Sequence, residues 1–393
     1  METLHQSPTD PGLVQNPYRF YAAARANGSL HYWADYAMPA AFSFDLVHSL
    51  LRDRRFGREI PAEMVAPAPP HLTAFQTVEA HSMLEAEPPR HTRLRGLILR
   101  AFTSRQISAM APQIETLCHQ LIDGFPETPF DLLSAYCTQI PVVIITRLLG
   151  VPEAMAPQLL DWSHAMVAMY QAGRTRETEV AANAAASAFA DFLRDYINHR
   201  HASSQDNLIT RLIAAQETGG KLDPDELIGT CILLLNAGHE ATVHALGNGV
   251  KTLLQTGTDP ACLTPDRIDC TVEEILRFDP PLHMFTRYAY EEATVQGHTF
   301  RRGDQVALLL AAANRDPLIW SDPDTFDPGR AIRANASFGG GLHFCVGAPL
   351  ARLEMNIALP ILFDRCPDLR MVQPPSYGDT YHFHGLTRLL VTA

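Results

Sequence analysis

Cys345 ends the run Phe338-Gly339-Gly340-Gly341-Leu342-His343-Phe344-Cys345, and Val346-Gly347 and the helix-favouring stretch Ala348-Pro349-Leu350-Ala351-Arg352-Leu353-Glu354 follow directly. A glycine-rich loop that delivers one thiol to the start of a helix is a place where a thiolate is made. The first N–H groups of the helix lack intrahelical partners and carry a partial positive charge, and both lower the pKa of a nearby thiol. Gly341 and Gly347 lack a Cβ, so the backbone turns sharply there and admits something flat and bulky close to it. A thiolate so placed is one of the few axial ligands that haem iron accepts, and it pushes electron density towards O–O cleavage. The plainer reading is a buried free cysteine acting as a small hydrophobe.

A second polar centre interrupts a long apolar segment. Asp223 is an N-cap candidate, Pro224 stands at the first helical position and Glu226 at the third, a capping-box start for a helix that runs to about Gly257. At 1.5 Å per residue such a helix is roughly 50 Å long and crosses the molecule. Its middle, Ile232-Leu233-Leu234-Leu235-Asn236-Ala237-Gly238-His239-Glu240-Ala241-Thr242, is apolar and then abruptly polar, which is costly on a buried helix unless the polar groups are used. His239-Glu240-Ala241-Thr242-Val243-His244 is similar at a glance to the zinc-protease pattern H-E-x-x-H. Its histidines are five residues apart, about 140° around the helix, so those two do not share a metal.

The pattern Phe-x-x-Gly-x-x-x-Cys-x-Gly, filled here by Phe338, Gly341, Cys345 and Gly347, resembles the haem-binding loop of the cytochrome P450 family. The resemblance implies that Cys345 is the proximal ligand of iron in haem b. It also implies a mainly α fold with minor β sheets, the haem lying between the long central helix and the cysteine-bearing loop and helix. Ala237-Gly238-x-Glu240-x-Thr242 is similar to the oxygen-activation motif of the same family, and makes Glu240 and Thr242 the catalytic pair. Physically, Gly238 leaves room on the helix for a planar cofactor and a diatomic ligand. The Thr242 hydroxyl bonds the carbonyl four residues back and opens the helix, and an acid beside an alcohol relays protons. The alternative is a kinked helix with a solvated Glu240.

Glu274 and Arg277 stand at i and i+3, a spacing that pairs them on one helical face, although Thr271 and Glu274 also fit a capping box. The resemblance adds Arg330, from Phe326-Asp327-Pro328-Gly329-Arg330, as third member of a fold-stabilising triad. By the same resemblance His91, Arg95, Arg287 and His343 are donors to the haem propionates, supported by the run Ala313-Asn314-Arg315-Asp316-Pro317. By analogy the substrate pocket takes Phe75, Met83, Met166 and Met169 from the first half of the chain. From the second half come Leu233, Asn236, Met284, Phe285 and Phe383, mostly apolar side chains that suit a neutral hydrophobic molecule. His283 and His384 either add one polar contact or are structural histidines.

The positioning elements follow from pattern. Arg176 to His199 and Pro224 to Gln255 are long, apolar-periodic and free of internal proline, as helices require. Strand-like runs are Leu30 to Phe44, Ala293 to Phe300, Gln305 to Leu310 joined through Gly303-Asp304, and Gly385 to Thr392. Pro61 to Pro70 is the most loop-like stretch. No repeat or linker divides the 393 residues, so one domain over 1–393 is expected.

Seven scattered cysteines without a C-x-x-C pair disfavour a disulfide framework or structural zinc and favour a reducing compartment, the cytoplasm. The polar start, Met1 to Asn16, and the lack of a long apolar run predict no membrane anchor. A formal charge of −12 opposes binding to nucleic acid. Only Lys221 and Lys251 are lysines, and the remaining cations are arginines, suited to bidentate pairing with carboxylates.

The family resemblance implies a monooxygenase that places one atom of dioxygen into a hydrophobic small organic molecule. The chain ends soon after the last strand, so electrons are expected from a separate ferredoxin or flavodoxin with an NAD(P)H-dependent reductase. Arg93, Arg95 and Arg100 are the candidate docking cations. A peroxide-driven peroxygenase and a non-enzymatic haem-thiolate ligand sensor are the alternatives. The acid and alcohol of the long helix argue against the first, and steady NAD(P)H and dioxygen consumption separates an enzyme from the second.

Overall fold

The computed structural model describes residues 1–170, 174–200, 207–217, 222–379 and 383–393. They group into two compact units, one of residues 1–64, 115–137 and 241–393, the other of residues 65–114 and 138–240.

The first unit is built on a six-stranded sheet. Leu30–Trp33 and Met38–Ala41 form an antiparallel pair, and Met38–Ala41 runs parallel to Gln305–Leu309. Gln305–Leu309 is in turn antiparallel to Met284–Ala289, with Arg287 opposite Val306. Both faces of the central strand are buried, because Val306 and Leu308 join one apolar cluster while the alternate residues Ala307 and Leu309 join another. The expected strand from Leu30 to Phe44 is thus two strands around a short turn, and Phe44 already opens the helix Phe44–Leu50. Ala293 to Phe300 folds back on itself as a two-stranded hairpin, turning at Gln296 and Gly297, both with positive φ. The partner of Gln305–Leu309 is Met284–Ala289, which period-2 patterning did not single out. From Gly385 to Thr392 only Leu390–Thr392 is strand, between Arg370–Met371 and Phe130–Asp131.

The second unit is helical. Arg176–Arg200 is one helix, as its pattern predicts, and Ala156–Val167, Gln139–Leu149, Arg90–Ala101 and Thr73–Ala80 accompany it.

The long helix covers Pro224–Thr256, and the division between the units falls within it, after Glu240. Its start is the expected reciprocal box. The Glu226 N–H donates to the Asp223 carboxylate at 2.8 Å and the Asp223 N–H to the Glu226 carboxylate at 3.2 Å. It stops at Gly257, whose φ of 59° suits glycine, with the Thr258 and Gly257 N–H groups returning to the Leu253 and Leu254 carbonyls. No helix among the described residues is long and apolar enough to cross a membrane.

Candidate active site

None of the seven cysteines is in a disulfide, and their surroundings separate them. Five are buried, and burial pushes the Cys231 thiol up to about 12 and the Cys118 thiol up to about 11, so these stay protonated and inert. Cys345 is exposed, as are Leu342 and Phe344 just before it, so a soft ligand stands beside exposed apolar side chains. A flat apolar group carrying a thiolate-binding metal fits that surface: it would cover the two side chains and take the sulfur. The loop is closed by the Cys345 N–H donating to the Phe338 carbonyl at 3.0 Å, and Ala348–Arg365 follows as a helix. A side chain at Gly347 would stand 3.8 Å from the Cys345 sulfur. Gly341 has φ +63° and a Cβ there would lie 2.4 Å from the Leu51 carbonyl. The close approach that requires this glycine is therefore to the chain's own backbone, where the sequence suggested a flat ligand.

The loop is tied to the Glu274–Arg277 pair. Arg277 donates two bonds to Glu274, at 2.7 and 2.8 Å, and both side chains are 2% exposed. Arg330 approaches Glu274 at 3.3 Å. Arg277 also donates to the Asn314 carbonyl at 3.0 Å, Asn314 Oδ1 accepts from the Ala336 N–H at 2.7 Å, and its amide donates to Ser337 Oγ at 2.8 Å. A buried pair is thus linked through one asparagine to the residues that precede Phe338. Thr271 lies inside the helix Ile268–Phe278 and bonds the Cys262 carbonyl, so the capping-box reading of Thr271 and Glu274 fails: the helix starts three residues earlier. Sequence reasoning also missed Glu273, which accepts from Arg352 and, at 3.1 Å, from Asn335. The Arg352 guanidinium lies 4.5 Å from the Phe338 ring centre. The signal was present only as an arginine seven residues past the cysteine.

Arg287, 2% exposed, donates to the Thr286 carbonyl at 2.8 Å, and His343 is half-buried. In the other unit His91, 2% exposed, and Arg95 stand four apart on the helix Arg90–Ala101 and so share a face. Arg93 donates to Glu226 through both terminal nitrogens, one at 2.9 Å, which engages one of the expected docking cations; Arg100 is exposed.

The long helix is enclosed from Glu226 to Asn236, and then Ala237 is exposed and Gly238 and Glu240 half-buried. The side on which Gly238 lacks a Cβ is filled by Ile145, 3.1 Å from the position such an atom would take. That glycine serves helix–helix packing, and Ala237 is the open position. The helix is unbroken through Thr242, and among the described residues no hydrogen bond joins the Thr242 hydroxyl to the Gly238 carbonyl, so the expected local opening is absent. Glu240 Oε2 lies 3.4 Å from His164 Nε2 and 3.4 Å from His239 Nε2. The hydrogen bond to Glu240 holds the His164 pKa above its ordinary value.

Phe75, Met83, Met166, Met169 and Leu233 are buried in this unit. Asn236 is buried as well, its amide nitrogen 3.7 Å from the Met166 sulfur and its amide oxygen without a partner. Met284 is buried and Phe285 and Phe383 are half-buried in the sheet-bearing unit, Phe383 bridging to Leu282.

His283 and His384 belong to a buried charge network. Lys251 donates to Asp279 at 2.9 Å, the Tyr18 and Tyr377 hydroxyls also donate to Asp279, and His384 Nε2 is 3.4 Å from it. Burial alone would raise the Asp279 pKa, but the Lys251 ammonium and the donated hydrogen bonds hold it well below the usual carboxylate range. Burial lowers His384 to about 4.

The family model described as Cytochrome P450 matches residues 268–372. The chain is 33% identical to the polyketide biosynthesis cytochrome P450 PksS of Bacillus subtilis, over 95% of this chain and 94% of that one. It is 35% identical to the vitamin D(3) 25-hydroxylase of Pseudonocardia autotrophica, over 96% and 94%. Among solved structures it is similar to P450BioI in complex with an acyl carrier protein carrying hexadec-9Z-enoic acid. There the TM-score is 0.90 at 33% identity, covering 97% of this chain and 99% of the other.

Proposed function

The chain belongs to the cytochrome P450 family of oxidoreductases and its cofactor is haem b, and on that premise we propose that it oxygenates a hydrophobic small molecule with electrons from a separate carrier. The observation that carries the reading is the exposed Cys345 thiol at the end of a loop whose backbone is closed on itself and anchored to a buried ion pair. When bound, haem supplies the redox chemistry that activates dioxygen. The chain's own residues supply the rest. Cys345 gives the thiolate ligand, favoured by the helix N-terminus that follows it. Glu273, Arg352 and the Glu274–Arg277–Asn314 chain hold its loop in place. His91, Arg95, Arg287 and His343 are the donors assigned to the propionates. Glu240 holds and passes a proton at its carboxylate, fed from the half-exposed His164, and Thr242 orients the last transfer.

The apolar side chains assigned to the pocket suit a hydrophobic substrate, and the unpartnered amide oxygen of Asn236, beside Met166, suits one that carries a hydroxyl or N–H donor. A ferredoxin or flavodoxin with its NAD(P)H-dependent reductase delivers the electrons. The folded chain is a single family domain active in the cytoplasm.

The test is turnover by haem-loaded protein with a ferredoxin, its reductase and NAD(P)H, together with the reduced carbon monoxide spectrum. Oxygen-dependent product and a thiolate-type spectrum are expected, and Cys345→Ser should abolish both, since an alcohol is a far weaker donor to iron. A thiolate-type spectrum that survives Cys345→Ser would overturn the assignment, and peroxide supporting turnover as fast as NAD(P)H would favour a peroxygenase.

A further inference from the structure

We propose that His164, His239 and Glu240 form a binding site for one divalent transition-metal ion of the zinc class. Nε2 of the two histidines and Oε2 of Glu240 all lie within 4.8 Å of one another, with both imidazole–carboxylate separations at 3.4 Å. A tetrahedral ion with bonds of about 2.0–2.2 Å spaces its ligand atoms about 3.4 Å apart, so two edges of the polyhedron are already set.

The state of His239 points to a cation. Its ring is 2% exposed, and Nδ1 faces the Leu235 carbonyl at 2.7 Å. A carbonyl only accepts, so a ring hydrogen is on Nδ1, and that hydrogen bond fixes the ring with Nε2 as the atom able to take a metal. That Nε2 is buried and has no hydrogen-bond partner, and it confronts a carboxylate oxygen. A buried imidazole nitrogen facing a half-buried carboxylate calls for a positive charge between them, which a metal ion would supply.

The third donor is supplied by a different helix. His164 comes from Ala156–Val167 and its side chain is 52% exposed, which provides an entry path and leaves the remaining coordination position to water. His239 and His244 point to different sides of the long helix, but His239 acquires a metal partner across the helix packing. Two imidazoles and one carboxylate select zinc-like ions over magnesium or calcium, which prefer all-oxygen sites. Occupancy would take the Glu240 carboxylate out of proton delivery, a consequence that rests on the role proposed for Glu240 above, whereas the site itself does not.

The test is calorimetric titration of haem-loaded protein with zinc at neutral pH, with zinc-edge anomalous scattering from crystals. One equivalent should bind, with a density peak about 2.0–2.2 Å from the three atoms. His164→Ala, on the exposed side where the fold is least at risk, and Glu240→Gln should each weaken binding at least about tenfold. Failure to bind an equivalent, or binding indifferent to both substitutions, overturns the site, and would leave a shared proton as the cation. In parallel, zinc should raise the fraction of NAD(P)H electrons released as peroxide, relative to each protein's own metal-free value, and should not do so in His164→Ala. Zinc that binds at the three atoms without moving that fraction would overturn the role given to Glu240 while the site stands.

Discussion

The Asp279 cluster and the Glu240 cluster hold the same donors, two imidazoles and one carboxylate within 4.8 Å, in opposite electrostatic surroundings. Asp279, His283 and His384 are all buried, and the positive charge that a metal would bring is already present. Lys251 is 2.9 Å from the carboxylate, two tyrosine hydroxyls donate to it, and the Arg315 guanidinium lies 3.7 Å from the Tyr18 ring centre. Glu240 is half-buried and faces two imidazoles, His164 and His239, at 3.4 Å each. A donor set therefore does not define a site. A lysine paired with the carboxylate makes one cluster a brace, and a carboxylate that faces only imidazoles leaves the other open to a metal.

The comparison breaks most visibly at Lys251. Lys251→Met leaves Asp279 as an uncompensated buried charge and should cost about 3–5 kcal/mol in denaturant unfolding. Adding Asp279→Asn to Lys251→Met should restore part of that loss, because no charge is then stranded. A double variant less stable than Lys251→Met alone would show that the ion pair is not what braces this region.

A smaller effect should appear in acid. His384 is lowered to about 4 by burial, with Lys251, His244 and Arg315 acting in the same direction and Asp279 against them, and the neighbouring His283 is lowered by burial as well. In the window from about 6.5 down to about 4 the unfolded chain binds protons that the folded chain does not, so stability falls as pH falls. The depressed Asp279 adds to the loss at still lower pH. His384→Phe keeps a ring to stack on Tyr377 and removes one titrating group, so the slope of stability against pH in that window should shrink. An unchanged slope would place the titration elsewhere.

The smallest effect on stability is expected at the other cluster. Glu240→Gln should change unfolding free energy by less than about 1 kcal/mol, as partly solvated pairs do. It should nevertheless divert electrons from product to peroxide. A loss comparable with that of Lys251→Met would make Glu240 a second brace and remove the contrast.

What the sequence disclosed was local. Cys345 with its glycines, the Asp223–Glu226 box and the Glu274–Arg277 spacing each lie within ten residues, where backbone geometry fixes who meets whom. Lys251 with Asp279, Arg352 with Glu273, and His164 with Glu240 are joined by tertiary packing, which leaves no spacing to read. The strand Met284–Ala289 escaped notice because it is buried on both faces in places and so lacks clean alternation. Gly238 shows a subtler limit: its place in a motif was visible, but the neighbour that requires a glycine, Ile145, is known only from the packing.

The contact between Gly341 and Leu51 bears on how the protein is made. The cysteine loop packs on a backbone carbonyl from near the other end of the chain, so its shape depends on a pairing of high sequence separation. During synthesis the N-terminal sheet strands wait for Met284–Ala289 and Gln305–Leu309, and the loop emerges later still. Cofactor capture is then a late event that follows nearly complete translation. Nascent chains stalled before residue 341 should hold no haem, and a Gly341→Ala chain should accumulate as folded but poorly loaded protein.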